Sequence, residues 1–287
     1  MSVRTFAALL VRLLWLVFVV QALASPLVDL PYPYWAGWLP LVAAVSLRVV
    51  LHRTEHRGIM AAAPEAVEVG PPVSGTWTAQ NSPADKAPSH GTHALGQTYA
   101  IDIVAESEER PRPRGVLLWP PARPAAAFPA FGAPLLAVAD GTVVRAEDGQ
   151  RDHLSRTSLP GLLYLVVVEG VFRSLGGWRR ITGNHLVLDL GGGTYALYAH
   201  LRRGSLAVRP GDRVVAGQPV ARCGNSGNST EPHLHFQLMD GPDPAVARGV
   251  PFTWRGVGVP AGGETFTAQT PAAGPVGGAA PAGAESS

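Results

Sequence analysis

The chain holds three groups of residues whose types and spacing suit chemistry. The first is His233-Leu234-His235. On a strand, residues two apart point to one face, so both imidazoles project together while Leu234 and Phe236 turn to the core. Two imidazoles side by side suit a pair of zinc ligands, or one ligand beside one proton-transfer group. The second group is the segment Tyr195 to Leu201, where strand alternation sets Tyr198 and His200 on one face and Leu197 and Ala199 on the other. The third is Ser89-His90-Gly91-Thr92-His93, followed by Tyr99-Ala100-Ile101-Asp102-Ile103. Asp102 is a carboxylate inside an apolar strand, and burying it requires a cation, a metal or several donors. One histidine of this segment, Asp102 and one histidine of the His-x-His pair together form a three-ligand set that zinc accepts.

These residues need a rigid frame, and the chain between Thr76 and about Gly256 has the pattern for one. Short β-branched runs recur at 99–104, 141–146, 162–170, 185–190, 194–201, 213–223 and 233–240, cut by Gly, Pro, Asn and Asp. That spacing predicts an all-β domain over 76–256, an antiparallel sandwich or barrel with no amphipathic helix interrupting it. Glu106 to Ala127 and Glu147 to Pro160 fit the strand pattern poorly and read as irregular surface loops inserted between strands.

The flanks differ in composition. Residues 6–24 and 35–51 are apolar runs joined by a Pro-rich connection with Tyr32, Tyr34, Trp35 and Trp38, which predicts a two-helix membrane hairpin over 1–57. Ala22-Leu23-Ala24 also fits a signal-peptide cleavage site, but the second run directly behind it favours the hairpin. Arg4 and Arg12 before the hairpin, and Arg48, Arg53 and Arg57 at its far end, place both ends on the cytoplasmic side by the positive-inside rule. Residues 58–75 read as a linker and 257–287 as a disordered, low-complexity tail. A net charge of +2 over 287 residues sets up no field for nucleic acid. A single cysteine, Cys223, excludes an intramolecular disulfide framework and a Cys-rich zinc cluster.

The order of these segments resembles a known family. His90 with Asp102, then Tyr198-Ala199-His200-Leu201, then Gly224-Asn225-Ser226-Gly227 running into His233-Leu234-His235-Phe236, is similar to the lysostaphin-like, LytM-type metallopeptidases of peptidase family M23. Gly211 to Gln218 is similar to the same family's turn before the active-site strand and Phe131 to Val144 to its stretch after the first metal motif, so the resemblance spans about residues 88–240. It implies that Asp102 and His235 ligate zinc, and that His200 and His233 are the pair that handles protons and the oxyanion. It also implies a substrate of peptidoglycan peptides and a catalytic domain on the cell-wall side of the cell membrane, opposite to the charge rule's expectation. Two departures stand out. The family spaces its first motif His-x-x-x-Asp, whereas Asp102 follows His90 by twelve residues and His93 by nine. His90, flanked by the small Ser89 and Gly91, is taken as the first ligand over His93. Glu231 replaces the glycine common before Pro232 and adds a charge at the cleft rim. The rivals are a non-catalytic module of the same family that binds cell wall or activates a partner hydrolase, a phosphocarrier or lipoyl-type domain, and a cysteine hydrolase built on Cys223.

Overall fold

The structure, a computed structural model, describes residues 3–28 and 31–269. The chain divides into two compact units, residues 1–63 and 64–287.

The first unit holds helices α1 (Val3–Ala24) and α2 (Leu39–Ala61), with a 3-10 turn at Tyr34–Trp38 leading into the second. Pro40 sits in the first turn of α2, where a missing N–H costs nothing. Leu13, Leu16 and Val20 of α1 and Val42, Val45 and Val50 of α2 are exposed. Among the described helices one, Tyr34–Ala61, is long and apolar enough to cross a membrane by length and composition, and the apolar stretch Leu10–Ala24 falls short of that length. The two apolar runs are thus helical, and one of them meets the length criterion for a membrane span, where the sequence predicts two.

The second unit is built of β1 (Val67–Val69), β2 (Gly75–Ala79), β3 (Ile101–Ala105), β4 (Pro134–Leu136), β5 (Gly141–Glu147), β6 (His185–Asp189), β7 (Tyr195–Ala199), β8 (Arg213–Val214), β9 (Pro219–Arg222), β10 (Leu234–Met239), β11 (Gly249–Val250), β12 (Phe252–Trp254) and β13 (Thr265–Ala268). The main sheet runs β13-β2-β3-β10-β7-β6-β5-β8, every neighbour antiparallel, with β11 also on β10. Two small sheets, β4-β9 and the parallel pair β1-β12, contribute to the core on one side. Alternation decides which residues meet there. Ile101 and Ile103, Leu186 and Leu188, Ala196 and Tyr198, and Leu234, Phe236 and Leu238 join Leu135, Val220, Phe252 and Trp254 in one core. Burial of each large side chain of this kind stabilises the fold by roughly 1.5–3 kcal/mol. The intervening residues Asp102, Val187, Leu197, Ala199, His235 and Gln237 belong to the opposite face, and that face carries the site.

Three boundaries differ from the sequence expectation. Residues 58–75 are not a linker throughout: α2 continues to Ala61, and β1 pairs with β12. β13 lies within the expected tail yet closes the sheet edge on β2 through Phe266 opposite Trp77. The remainder of that tail, 270–287, and the connection residue Asp29 lie outside the described residues. Most plainly, 162–170 is not a strand. Leu159–Tyr164 is helix α3, Leu165–Glu169 a π-type turn, Gly170–Leu175 helix α4 and Trp178–Thr182 helix α5. A short apolar run carries no periodicity that separates helix from strand. The deciding signals lie just before it: Ser158 caps α3 by accepting from the Gly161 N–H at 3.1 Å, and Pro160 occupies its first turn.

Candidate metal centre and active site

Ladder register brings the three groups together. Asp102 on β3 lies directly opposite His235 on β10, and His235 lies opposite Ala199 on β7. Directly opposed side chains on one face are close neighbours, so Asp102 Oδ1 comes to 2.8 Å from His235 Nδ1. His90 reaches the same carboxylate from a loop, with its Nε2 at 2.9 Å from Asp102 Oδ2. The ligand atoms of His90, Asp102 and His235 lie within 4.8 Å of one another. His93 does not join them; its Nδ1 is 3.0 Å from Thr98 Oγ1, within its own loop.

Hydrogen bonds behind the imidazoles define which nitrogen faces the carboxylate. The Ser89 hydroxyl donates to the Ala100 carbonyl at 2.6 Å, so at 2.9 Å it accepts from His90 Nδ1–H. His90 Nε2 therefore presents a lone pair to Asp102. Gln237 donates its amide to the Leu95 carbonyl at 2.8 Å, which turns its Oε1 to His235 Nε2–H at 3.0 Å. His235 Nδ1 likewise presents a lone pair to Asp102. Two lone pairs aimed at an anionic, buried carboxylate at under 3 Å repel unless a cation or protons lie among them. Asn81 Nδ2 donates to Asp102 Oδ2 at 2.8 Å and holds the carboxylate in place. The residues present thus fit a divalent metal, and two nitrogens with one carboxylate oxygen match zinc chemistry. Gln237 was not anticipated from sequence, although it continues the 233, 235 alternation by one step.

Protons respond to the same arrangement. Where protons rather than a cation lie among these groups, burial pushes the Asp102 carboxyl upward, but the His233 charge, the hydrogen bond from His235 and the charge and hydrogen bond of His90 hold it well below its ordinary value. Burial pulls His235 downward, yet the hydrogen bond to Asp102 and its charge leave the imidazole raised. Burial, followed by the proximity of His233 and His235, holds His200 well below its ordinary value.

The second pair stands beside the first. The His200 and His233 rings are 4.7 Å apart by centroid, and His200 is 5.9 Å from His235. His200 Nδ1–H donates to the Ser226 carbonyl at 2.9 Å, and His233 Nδ1–H donates to the Glu231 carbonyl at 2.8 Å. Both Nε2 atoms are left as lone pairs, that of His233 being 3.6 Å from Asp102 Oδ1. His200 departs from the expected parity. Tyr198 is fully buried in the core, where its hydroxyl donates to the Leu136 carbonyl and accepts from the Val138 N–H, both at 3.0 Å. Leu197 and Ala199, not Tyr198, line the cleft with His200. The cause is His200's left-handed φ of +61°, which breaks the alternation at the end of β7. The cleft has a volume of about 240 Å³ and is walled on one side by Leu95 and Gln97 and on the other by Ile181, Thr182, Asn228 and Thr230.

Glu231 is not a free charge at the rim. It is largely buried and carries a bidentate pair with Arg112 of the 106–127 loop, one contact being Nε to Oε2 at 3.0 Å. Cys223 is fully buried, and burial, followed by the Asp152 charge, raises its thiol far above the range in which a thiolate forms, which removes the cysteine-hydrolase reading.

Residues 165–246, which include His200, His233 and His235, match the model of peptidase family M23. The glycyl-glycine endopeptidase ALE-1 of Staphylococcus capitis is 40% identical over 74 residues, covering 25% of this chain and 18% of that protein. The peptidoglycan DD-endopeptidase ShyA of Vibrio cholerae serotype O1 is 37% identical over 57 residues, covering 20% of this chain and 13% of that protein. The chain therefore aligns with less than a fifth of the length of either relative. Among solved structures, the catalytic domain of lysostaphin from Staphylococcus simulans is 21% identical and covers 55% of this chain and 80% of that one, with a TM-score of 0.30. Over residues 165–246 the chain is thus similar to peptidase family M23.

Proposed function

We propose that the chain is a membrane-anchored, zinc-dependent endopeptidase that cuts peptide bonds in peptidoglycan cross-links or stem peptides. The observation that carries this reading is the pair of committed imidazoles, His90 and His235, whose free lone pairs converge on Asp102. His90, Asp102 and His235 would hold the metal. Zinc, when bound there, supplies a Lewis acid that acidifies water and polarises a carbonyl.

The chain's own residues do the rest. His200 and His233, each fixed by a carbonyl behind Nδ1, present Nε2 to the cleft. One takes a proton from the attacking water as the new C–O bond forms at the scissile carbonyl, and the proton then passes to the leaving amine as the C–N bond breaks. The other, when protonated, donates a hydrogen bond to the oxyanion. Ser226 and Glu231 hold the two rings through backbone oxygens, so their aim does not depend on rotatable side chains. The substrate class is supported by the names of two relatives, one a glycyl-glycine endopeptidase and one a peptidoglycan DD-endopeptidase. Two apolar helices over 3–24 and 39–61 support a membrane anchor, and the placement of the catalytic domain on the cell-wall side rests on the substrate class, against the positive-inside rule.

The test is incubation of the purified chain with cell-wall peptides, with and without a chelator, followed by mass analysis. New termini that vanish with chelator and return with zinc are expected. Products unaffected by chelation would refute the zinc reading, and a zinc-loaded chain that cuts nothing would instead favour a non-catalytic module. Protease access to the second unit in intact cells tests its side of the membrane.

A further inference from the structure

A second cavity, of about 1210 Å³, lies on the far side of α5 and the Gly227 turn from the cleft. Five arginines from three segments border it: Arg151 and Arg156 of the loop after β5, Arg173 of α4, and Arg179 and Arg180 of α5. Two carboxylates pair with them, and a third nearby does not. Glu169 pairs with Arg156 at 3.0 Å and Arg173 at 3.1 Å, and Glu147 pairs with Arg179 at 3.4 Å. Asp152 is committed to the backbone N–H groups of Arg203 and Asn225, at 3.1 and 2.7 Å. Among the described residues, Arg151 and Arg180 have no acidic partner. Arg173 Nη1 is buried and has no hydrogen-bond acceptor. Arg151 and Arg180 are exposed, so an incoming oxyanion can reach them. The wall is shared with the active site: on α5, Arg179 and Arg180 border this cavity while Ile181 and Thr182 border the cleft.

We propose that this cavity is a subsite for an anionic oxygen group, carried as a carboxylate on the peptide substrate. The guanidinium fork matches a planar carboxylate, and a peptide extending past α5 from the cleft would deliver one. The proposal rests on the peptidase reading, and it makes the enzyme selective for peptides with a free carboxylate over their amides.

The test uses the full chain in detergent, with chelator present so that nothing is cut. Two labelled alanine peptides, identical but for a terminal carboxylate or carboxamide, are titrated by fluorescence anisotropy. The carboxylate form is expected to bind about tenfold tighter, the order for two partly solvated charge-assisted contacts. In Arg151→Ala/Arg180→Ala the preference disappears while carboxamide binding is unchanged, and Arg151→Lys/Arg180→Lys restores part of it. Equal binding of the two peptides, no measurable binding of either, or a preference that survives the alanine pair would each overturn the proposal. Inorganic phosphate that binds the parent but not the alanine pair, with no discrimination between the peptides, would identify a free-anion site instead and also overturns it. Because the readout is binding, a chain that cut no peptide would defeat the peptidase reading and leave this preference measurable.

Discussion

Gln237 offers the sharpest test of the metal centre, because it touches no proposed ligand atom facing the carboxylate and yet determines where His235 aims. Its side chain is fully buried, accepts from His235 Nε2–H at 3.0 Å and donates to the Leu95 carbonyl at 2.8 Å. Gln237→Leu keeps the volume and removes both bonds. No water replaces them at a position with no exposure, so a buried N–H and a carbonyl lose their partners at about 1–3 kcal/mol each. Part of that cost falls on the fold with or without metal. The part that falls on the metal is the freed imidazole: His235 can then rotate or place its proton on Nδ1, the nitrogen that faces Asp102. Loss of such a supporting partner lowers metal affinity by about 10–100-fold, or roughly 1.4–2.7 kcal/mol. The assay is zinc competition against a chromophoric chelator, with circular dichroism to confirm that the variant folds. Gln237→Glu, which keeps the acceptor and loses the Leu95 bond, should retain most of the affinity. A folded Gln237→Leu chain that binds zinc as tightly as the parent would refute the reasoning, since His235 would then need no partner behind it.

Other outcomes follow from the same geometry. His200→Gln and His233→Gln should each lower kcat by about 10²–10⁴ while zinc content is unchanged, because neither ring is needed to hold the metal; loss of zinc in either would move that residue into the ligand set. Cys223→Ala should leave turnover intact and cost about 1 kcal/mol of stability from the small cavity it opens, read by denaturant unfolding beside peptide cleavage. Arg112→Ala leaves the largely buried Glu231 carboxylate without its partner, and a loss of about 1–3 kcal/mol is expected, together with a drop in kcat through the Glu231 carbonyl that aims His233. His185 gives a pH signature: it is fully buried, its Nε2 has no hydrogen-bond partner, and burial holds its pKa below the ordinary value. A group depressed in the folded state binds its proton more readily when unfolded, so its contribution is complete above about pH 6.5 and fades as pH falls toward the folded value. Tm should therefore drop on acidification below about pH 6.5, and less steeply in His185→Gln; equal slopes would exclude His185 as a contributor.

What could be read from the sequence was whatever period two governs. His233 and His235 on one face, and Leu234 and Phe236 on the other, follow from alternation within β10, and Asp102 stood out because a carboxylate in an apolar strand needs partners. What alternation cannot supply is register. Nothing local states that Asp102 pairs across from His235, and that pairing is what turns separate residues into one centre. His90 was out of reach of any strand rule, since it arrives on a loop whose shape depends on left-handed residues at Leu95 and Gly96. A side chain at Gly96 would place its Cβ 2.8 Å from Gln237 Nε2, so that turn and the support of His235 are one device. The strand expectation for 162–170 fails because an apolar run of nine residues reports burial and not conformation, although Ser158 and Pro160 carry a helix start.

The misplaced face of Tyr198 and His200 is the most instructive case. Strict alternation would have buried His200 beside Tyr198, on the core side of the sheet, where an imidazole has no partner. The chain reaches the site by spending one residue in the left-handed region, a conformation that costs a non-glycine residue about 1–2 kcal/mol. Three bonds hold it there: His200 N–H to the Thr182 carbonyl at 2.9 Å, Gly224 N–H to the His200 carbonyl at 3.0 Å, and the ring to Ser226 at 2.9 Å. Gly224 also permits the approach, since a Cβ there would fall 2.3 Å from the Arg202 nitrogen. Strain at a single residue thus moves one histidine from the core face to the cleft, and the residues that bear the cost lie on α5 and on the 224–226 turn, far from His200 in sequence. A reading confined to the Tyr-Ala-His-Leu segment has no access to them, which is why the residue type could be recognised there and its direction could not.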